Sequence, residues 1–143
     1  MVTSFRHSIF IMIMLTVDVL SQTVVPAGNI SGHWTKAGSP YQIVIGDVTI
    51  PSAETLTIDS GVVVQLDLGL NLKVDGTLNA LGTKTDSIRF TTAQSVPAVG
   101  QWGAIIVAGT ANISFAVVEY GNGSTGSLGG AISSTSWVTK LQI

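Results

Sequence analysis

Val62-Val-Val-Gln-Leu-Asp-Leu-Gly-Leu-Asn-Leu-Lys-Val-Asp-Gly-Thr-Leu-Asn-Ala80 decides how the chain folds. In steps of two it gives Val62, Val64, Leu66, Leu68, Leu70, Leu72, Val74, Gly76, Leu78 and Ala80, all apolar or small. The residues between them are polar or glycine except Val63. That is the period of a β-strand with one buried face. A single strand of this length would span about 60 Å, several times the usual strand. The chain must therefore turn corners while the same parity of residues stays inside. A backbone that winds around its own core does that.

Composition agrees with a strand-built chain. Charged residues make up 10% of the 143 residues, well below the usual quarter. Thr, Val, Ile, Ser and Gly abound, which favours strands and turns over helix. The formal net charge of −2 is too small to argue for a nucleic acid or an anionic membrane as partner. Without cysteine, neither a disulfide framework nor a thiolate metal site is possible.

The first 21 residues read as a signal peptide. Arg6 and His7 precede an apolar run from Ile9 to Val17, Asp18 closes it, and Val19-Leu20-Ser21 suits a cut after Ser21. The run is short for a bilayer span, and no later segment could cross a membrane. The expectation is a protein that is secreted or held at the cell surface.

Residues 22–40, rich in Gly, Ser and Pro, read as a leader covering the first edge of a solenoid. Coils follow over 41–143, beginning with a strand pair at Tyr41 to Ile50 broken at Gly46-Asp47. Leu56-Thr-Ile58-Asp59, Leu72-Lys-Val74-Asp75, Ile88-Arg-Phe90-Thr91 and Ala104-Ile-Ile-Val107 then recur at sixteen-residue intervals. That spacing predicts that each apolar pair stacks on the one before, about 4.8 Å along the axis. Gln94–Gln101 and Gly121–Gly130 read as corner loops. Ile113, Phe115 and Val117 read as one face of a strand, and 137–143 as a last strand with no cap, as though the chain were the front of something longer. The competing fold is a β-sandwich, which predicts polar hairpin turns every eight to twelve residues. The parity held across Gly69 and Gly76 favours the coil.

A family resemblance rests on these stretches in order: Gly32-His-Trp34-Thr-Lys36, Ser39-Pro-Tyr41, Leu56-Thr-Ile58-Asp59-Ser-Gly61-Val-Val-Val64, Leu72-Lys-Val74-Asp75-Gly76-Thr-Leu78-Asn-Ala80-Leu-Gly82-Thr83, Ile88-Arg-Phe90-Thr91, Trp102-Gly103 and Val118-Glu-Tyr120-Gly121. They resemble the N-terminal coils of secreted bacterial right-handed parallel β-helix proteins of the pectin-lyase-like superfamily. The resemblance covers about Gly32 to Gly121. It implies an all-β solenoid, and a functional range from polysaccharide lyases and hydrolases to adhesins. The capping helix common in the enzymes is not visible, and no stretch matches a catalytic motif of the lyases or polygalacturonases.

With coils of sixteen, Asp59 and Asp75 would point outward one above the other, beside a row of Thr57, Lys73 and Arg89. Two carboxylates that close want a cation such as calcium, or a proton. The lyases that the chain resembles use acidic clusters for calcium and a basic residue to abstract the proton. Asp59, Asp75, Lys73 and Arg89 are therefore the candidate ligand-binding residues. The plainer reading is turn chemistry at the aspartates with the cations as neutralising neighbours. His33 stands without a serine, cysteine or second histidine at triad or metal spacing. Trp34, Tyr41, Trp102, Tyr120 and Trp137 could stack against sugar rings or pack inside. Asn29, Asn112 and Asn122 each begin a glycan-acceptor tripeptide. Thr-rich outward rows suggest an ice-binding face, but sixteen-residue coils set Lys73 and Asn71 against Thr57 and Thr55, which breaks the ladder.

These readings converge on a secreted or cell-surface β-helix module, non-catalytic, that binds a polysaccharide or cell-surface glycan or mediates adhesion. The alternative is a polysaccharide lyase or glycoside hydrolase. No nucleic-acid partner and no resident cofactor other than a possible calcium are expected.

Overall fold

The computed structural model describes residues 22–122 and 131–134. The expected signal peptide, most of the loop 121–130 and the last expected strand lie outside them. Strands form where apolar and polar residues alternate, and each is only two to five residues long because a corner follows. In order they are β1 (Thr23–Val25), β2 (Gly28–Asn29), β3 (Gly32–Trp34), β4 (Tyr41–Ile43), β5 (Val48–Ile50), β6 (Thr55–Ile58) and β7 (Val63–Leu66). Then come β8 (Leu72–Val74), β9 (Thr77–Leu81), β10 (Ile88–Thr92), β11 (Ile105–Val107), β12 (Thr110–Ser114), β13 (Ala116–Val118) and β14 (Ile132–Ser134).

Every third strand joins the same sheet. Sheet A runs β1-β4-β7-β10-β13, sheet B runs β2-β5-β8-β11-β14, and sheet C runs β3-β6-β9-β12. All pairings among the described strands are parallel. The chain is thus a parallel β-helix with a three-sided cross-section, and the hairpins of a sandwich are not its plan. The inward pairs Val48/Ile50, Leu56/Ile58, Val64/Leu66, Leu72/Val74, Leu78/Ala80, Ile88/Phe90 and Ile105/Val107 are buried and form one continuous core. Burying each larger side chain stabilises the fold by about 1.5–3 kcal/mol before entropy is counted.

The coil is longer than sixteen residues. Val48 lies opposite Leu72, twenty-four residues on, and Leu56 opposite Leu78, twenty-two on. Leu72 meets Ile105 only after thirty-three. Sixteen residues span two strands with their corners, two-thirds of a twenty-four-residue coil. Leu56, Leu72 and Ile88 therefore fall on sheets C, B and A in turn, and none stacks on another.

Three further expectations are corrected. Leu68 keeps the inside parity in sequence but stands 60% exposed, because Asp67–Asn71 is the corner from A to B and Gly69 takes φ +72° there. Residues 22–40 are no irregular leader. They carry β1, β2 and β3, a complete first coil paired with β4, β5 and β6. Their strands are too short and glycine-broken for a period of two to show. Phe115 does not share a face with Ile113: its φ of +46° turns the corner from C to A, and the ring faces outward while Ile113 is buried.

The corner from B to C is tight where β8 gives way to β9 and β11 to β12. The Ile50 carbonyl accepts from the N–H groups of Asp75 (3.0 Å) and Gly76 (2.9 Å). One coil on, the Val74 carbonyl accepts from Ala108 (2.9 Å) and Gly109 (2.8 Å) in the same way. Backbones approach so closely there that only glycine fits at Gly76 and Gly109.

Candidate functional site

The four residues singled out by spacing all point outward or sit at corners; the Asp75 charge acts on Lys73, but Asp59 and Arg89 face other partners. Asp59 follows β6 at the corner from C to A, and Asp75 follows β8 at the corner from B to C. Calcium would find no shared seat between carboxylates on different corners. Thr57, Lys73 and Arg89 lie on sheets C, B and A, so the expected row does not exist either.

Asp59, Lys73 and Arg89 instead each have a partner one coil away, and Lys36 reaches across two coils. His33 on β3 places Nε2 2.6 Å from Asp59 Oδ1. The Lys36 ammonium donates to Asp86 Oδ2 at 2.7 Å, and Arg89 Nη1 to Glu119 Oε1 at 3.0 Å. Lys73 Nζ lies 2.8 Å from Asp47 Oδ2. Spacing marks neither Asp86 nor Glu119, because these partners become neighbours only through the true register.

Around Asp47 the contacts form a clamp across three coils. The Asn71 N–H donates to Asp47 Oδ1 at 2.8 Å, and Asn71 Oδ1 accepts from the Ala104 N–H at 3.0 Å. Asp47 titrates below the usual carboxylate range. Its partial burial alone would raise it, but hydrogen bonds from Lys73 and Asn71 outweigh that. The hydrogen bond to Asp47, and then the Asp47 charge, raises Lys73 above its usual value.

These shifts set a pH dependence. A lowered carboxylate stabilises the fold above its unfolded pKa and loses that contribution as pH falls through the folded one. A raised ammonium stabilises below its unfolded pKa and loses the contribution as pH rises through the folded one. The Tm difference between wild type and Lys73→Met is expected to be small, as for half-exposed pairs. It should stay constant from about pH 5 to 9 and shrink on both sides of that window. Thermal denaturation across pH measures it, and a difference that persists in strong acid would contradict the pairing.

The aromatic residues are turned to packing. Trp34 stacks on Tyr41 with ring centroids 4.5 Å apart, and both are buried. The Tyr41 hydroxyl accepts from the Thr35 N–H at 2.9 Å. Trp102 is fully buried and its indole donates to the Glu119 carbonyl at 2.7 Å. These faces are closed to a sugar ring; Trp137 lies outside the described residues.

Sheet C carries the arrangement that spacing missed. Its register sets Thr55, Thr77 and Thr110 in one outward column. His33, Thr57, Asn79 and Asn112 form a second. Asn112 Nδ2 donates to Asn79 Oδ1 at 2.8 Å. The ladder rejected at a sixteen-residue repeat therefore exists at the true one. Its signal in the sequence is Thr-apolar-Thr or Thr-apolar-Asn at Thr55-Leu-Thr57, Thr77-Leu-Asn79 and Thr110-Ala-Asn112.

A family model described as a pectate-lyase like beta helix domain matches residues 28–136, well over half of the chain. No curated protein and no solved structure matches it.

Proposed function

The chain belongs to the pectate-lyase-like β-helix domain family, and from that premise we propose that it is a non-catalytic, secreted or cell-surface module that binds carbohydrate, in an adhesive role, through its outward faces. The observation that carries the reading is the pairing of its cations. A basic residue abstracts a proton only from its deprotonated form, and Lys73 is held protonated by Asp47. Arg89 is permanently charged and already donates to Glu119. Asp59 is engaged by His33, and it stands on a different corner from Asp75. What remains outward is a stiff parallel ladder, the geometry with which solenoids bind extended ligands.

Secretion is part of the proposal. It rests on the apolar run Ile9 to Val17 and on Val19-Leu20-Ser21 before Gln22. No helix among the described residues is long and apolar enough to cross a membrane.

The experiment incubates the purified protein with a panel of soluble and insoluble polysaccharides, polygalacturonate included. The expected result is retention on at least one glycan with no unsaturated or reducing-end product released. Product release from any of them, or retention on none, overturns the reading.

A further inference from the structure

The geometry points to the outward face of sheet C as the binding surface, and to an extended, uncharged polysaccharide chain lying along the coil axis as its ligand. This rests on the carbohydrate-binding reading above and deepens it. The face crosses β3, β6, β9 and β12, and none of these strands contains Asp, Glu, Lys or Arg. The outward positions of the other two sheets do carry charge: Arg89 on sheet A and Lys73 on sheet B. Sheet C is thus the neutral side of the three-sided coil.

Its chemistry suits a polyol. Each threonine of the column Thr55–Thr77–Thr110 sets a hydroxyl, donor and acceptor at once, beside a methyl group. A sugar offers the same mixture of hydroxyls and C–H surface. In the second column the Asn112-to-Asn79 hydrogen bond fixes both amide planes. It leaves the Asn79 amide nitrogen and the Asn112 amide oxygen free to bind outward. Rungs repeat about every 4.8 Å, and the two columns lie about 6.6 Å apart along the strand. A ligand that repeats once per short step along the axis meets a threonine beside a second hydroxyl or amide at each of the rungs β6, β9 and β12. Because the strands are already ordered, the protein loses little conformational freedom on binding.

Apart from His33, which is taken up by Asp59, this face carries no basic side chain, and that decides between neutral and acidic polymers. A polyuronate laid on sheet C would bring a carboxylate to each rung and find no positive charge to replace its water. The neutral chain loses less solvation and gains the same hydrogen bonds.

Full-length protein is tested for retention by microcrystalline cellulose and by immobilised sodium polygalacturonate. Thr55→Lys/Thr110→Lys, at two exposed outward positions, is compared with Thr49→Lys on sheet B, and melting curves check that both fold. The expected result is retention of wild type and Thr49→Lys on cellulose, little affected by salt. Thr55→Lys/Thr110→Lys should lose roughly tenfold, the scale of one or two hydrogen bonds. Retention on cellulose that survives this double substitution overturns the inference, as does a preference for polygalacturonate. If another glycan of the panel is held and Thr55→Lys/Thr110→Lys holds it equally, the inference fails while the binding-module reading stands. If no glycan is held, both fail. Shaped ice crystals or a lowered freezing point without retention on cellulose also overturn it, in favour of a face that orders water.

Discussion

Trp102→Ala is expected to destabilise the protein by about 3–5 kcal/mol, the range for deleting a large buried aromatic side chain. Trp102 opens the segment that leads into β11, is fully buried, and bridges in parallel to Gly121. Its removal empties the core where sheet A hands over to sheet B. It also takes away the indole donor of the Glu119 carbonyl. Trp102→Phe separates the two effects. It keeps much of the volume but not the hydrogen bond, so its cost should fall to about 1–3 kcal/mol. Urea denaturation of the three proteins measures this. Equal midpoints for wild type and Trp102→Ala would mean that the indole is not where the packing places it.

The second large effect is expected from one carbon atom. Gly76→Ala puts a Cβ against the backbone carbonyl oxygens of Pro51 and Glu54, well inside contact distance. Gly109→Ala meets the carbonyls of Asp75 and Gly76 in the same manner one coil further on. A flexible side chain could move aside, but a carbonyl held in a ladder cannot move without breaking the ladder. Each substitution should therefore cost at least the usual penalty of overpacking, about 1–3 kcal/mol. Because Gly109 packs on the Gly76 carbonyl, the double variant should depart from the sum of the singles. A melting temperature equal to wild type for Gly76→Ala would show that the corner is looser than described.

These two cases show where sequence reading reaches and where it stops. Burial of Val64, Leu66, Leu72, Val74, Leu78 and Ala80 was legible, because alternation is a local property of a strand. Leu68 broke the rule because a corner resets which way side chains point, and corners of five residues keep odd–even parity by accident. The register was not legible. It depends on how many residues the corners consume, and those numbers change from one coil to the next. A sixteen-residue recurrence is what a three-sided coil produces when one strand type is compared with the strand two sides further on.

The same limit explains the candidate site. That Lys73 and Arg89 face solvent followed from parity, but their partners Asp47 and Glu119 lie twenty-six and thirty residues away in sequence. A sixteen-residue repeat stacks Asp59 on Asp75, whereas the true repeat sets them on different corners. With the right one, the threonines of sheet C align instead.

The long corner between Thr92 and Ile105 follows a shorter one between Leu66 and Leu72, yet β10 still pairs with β7 and β11 with β8. Residues added there grow sideways from the shaft and leave its pitch untouched. Such an architecture separates two kinds of inheritance: what holds the shaft together is written in its sides, and novelty can be written at its edges. A foreign peptide spliced between Val96 and Val99, whose side chains already stand in solvent, would be displayed without the shaft having to be redesigned.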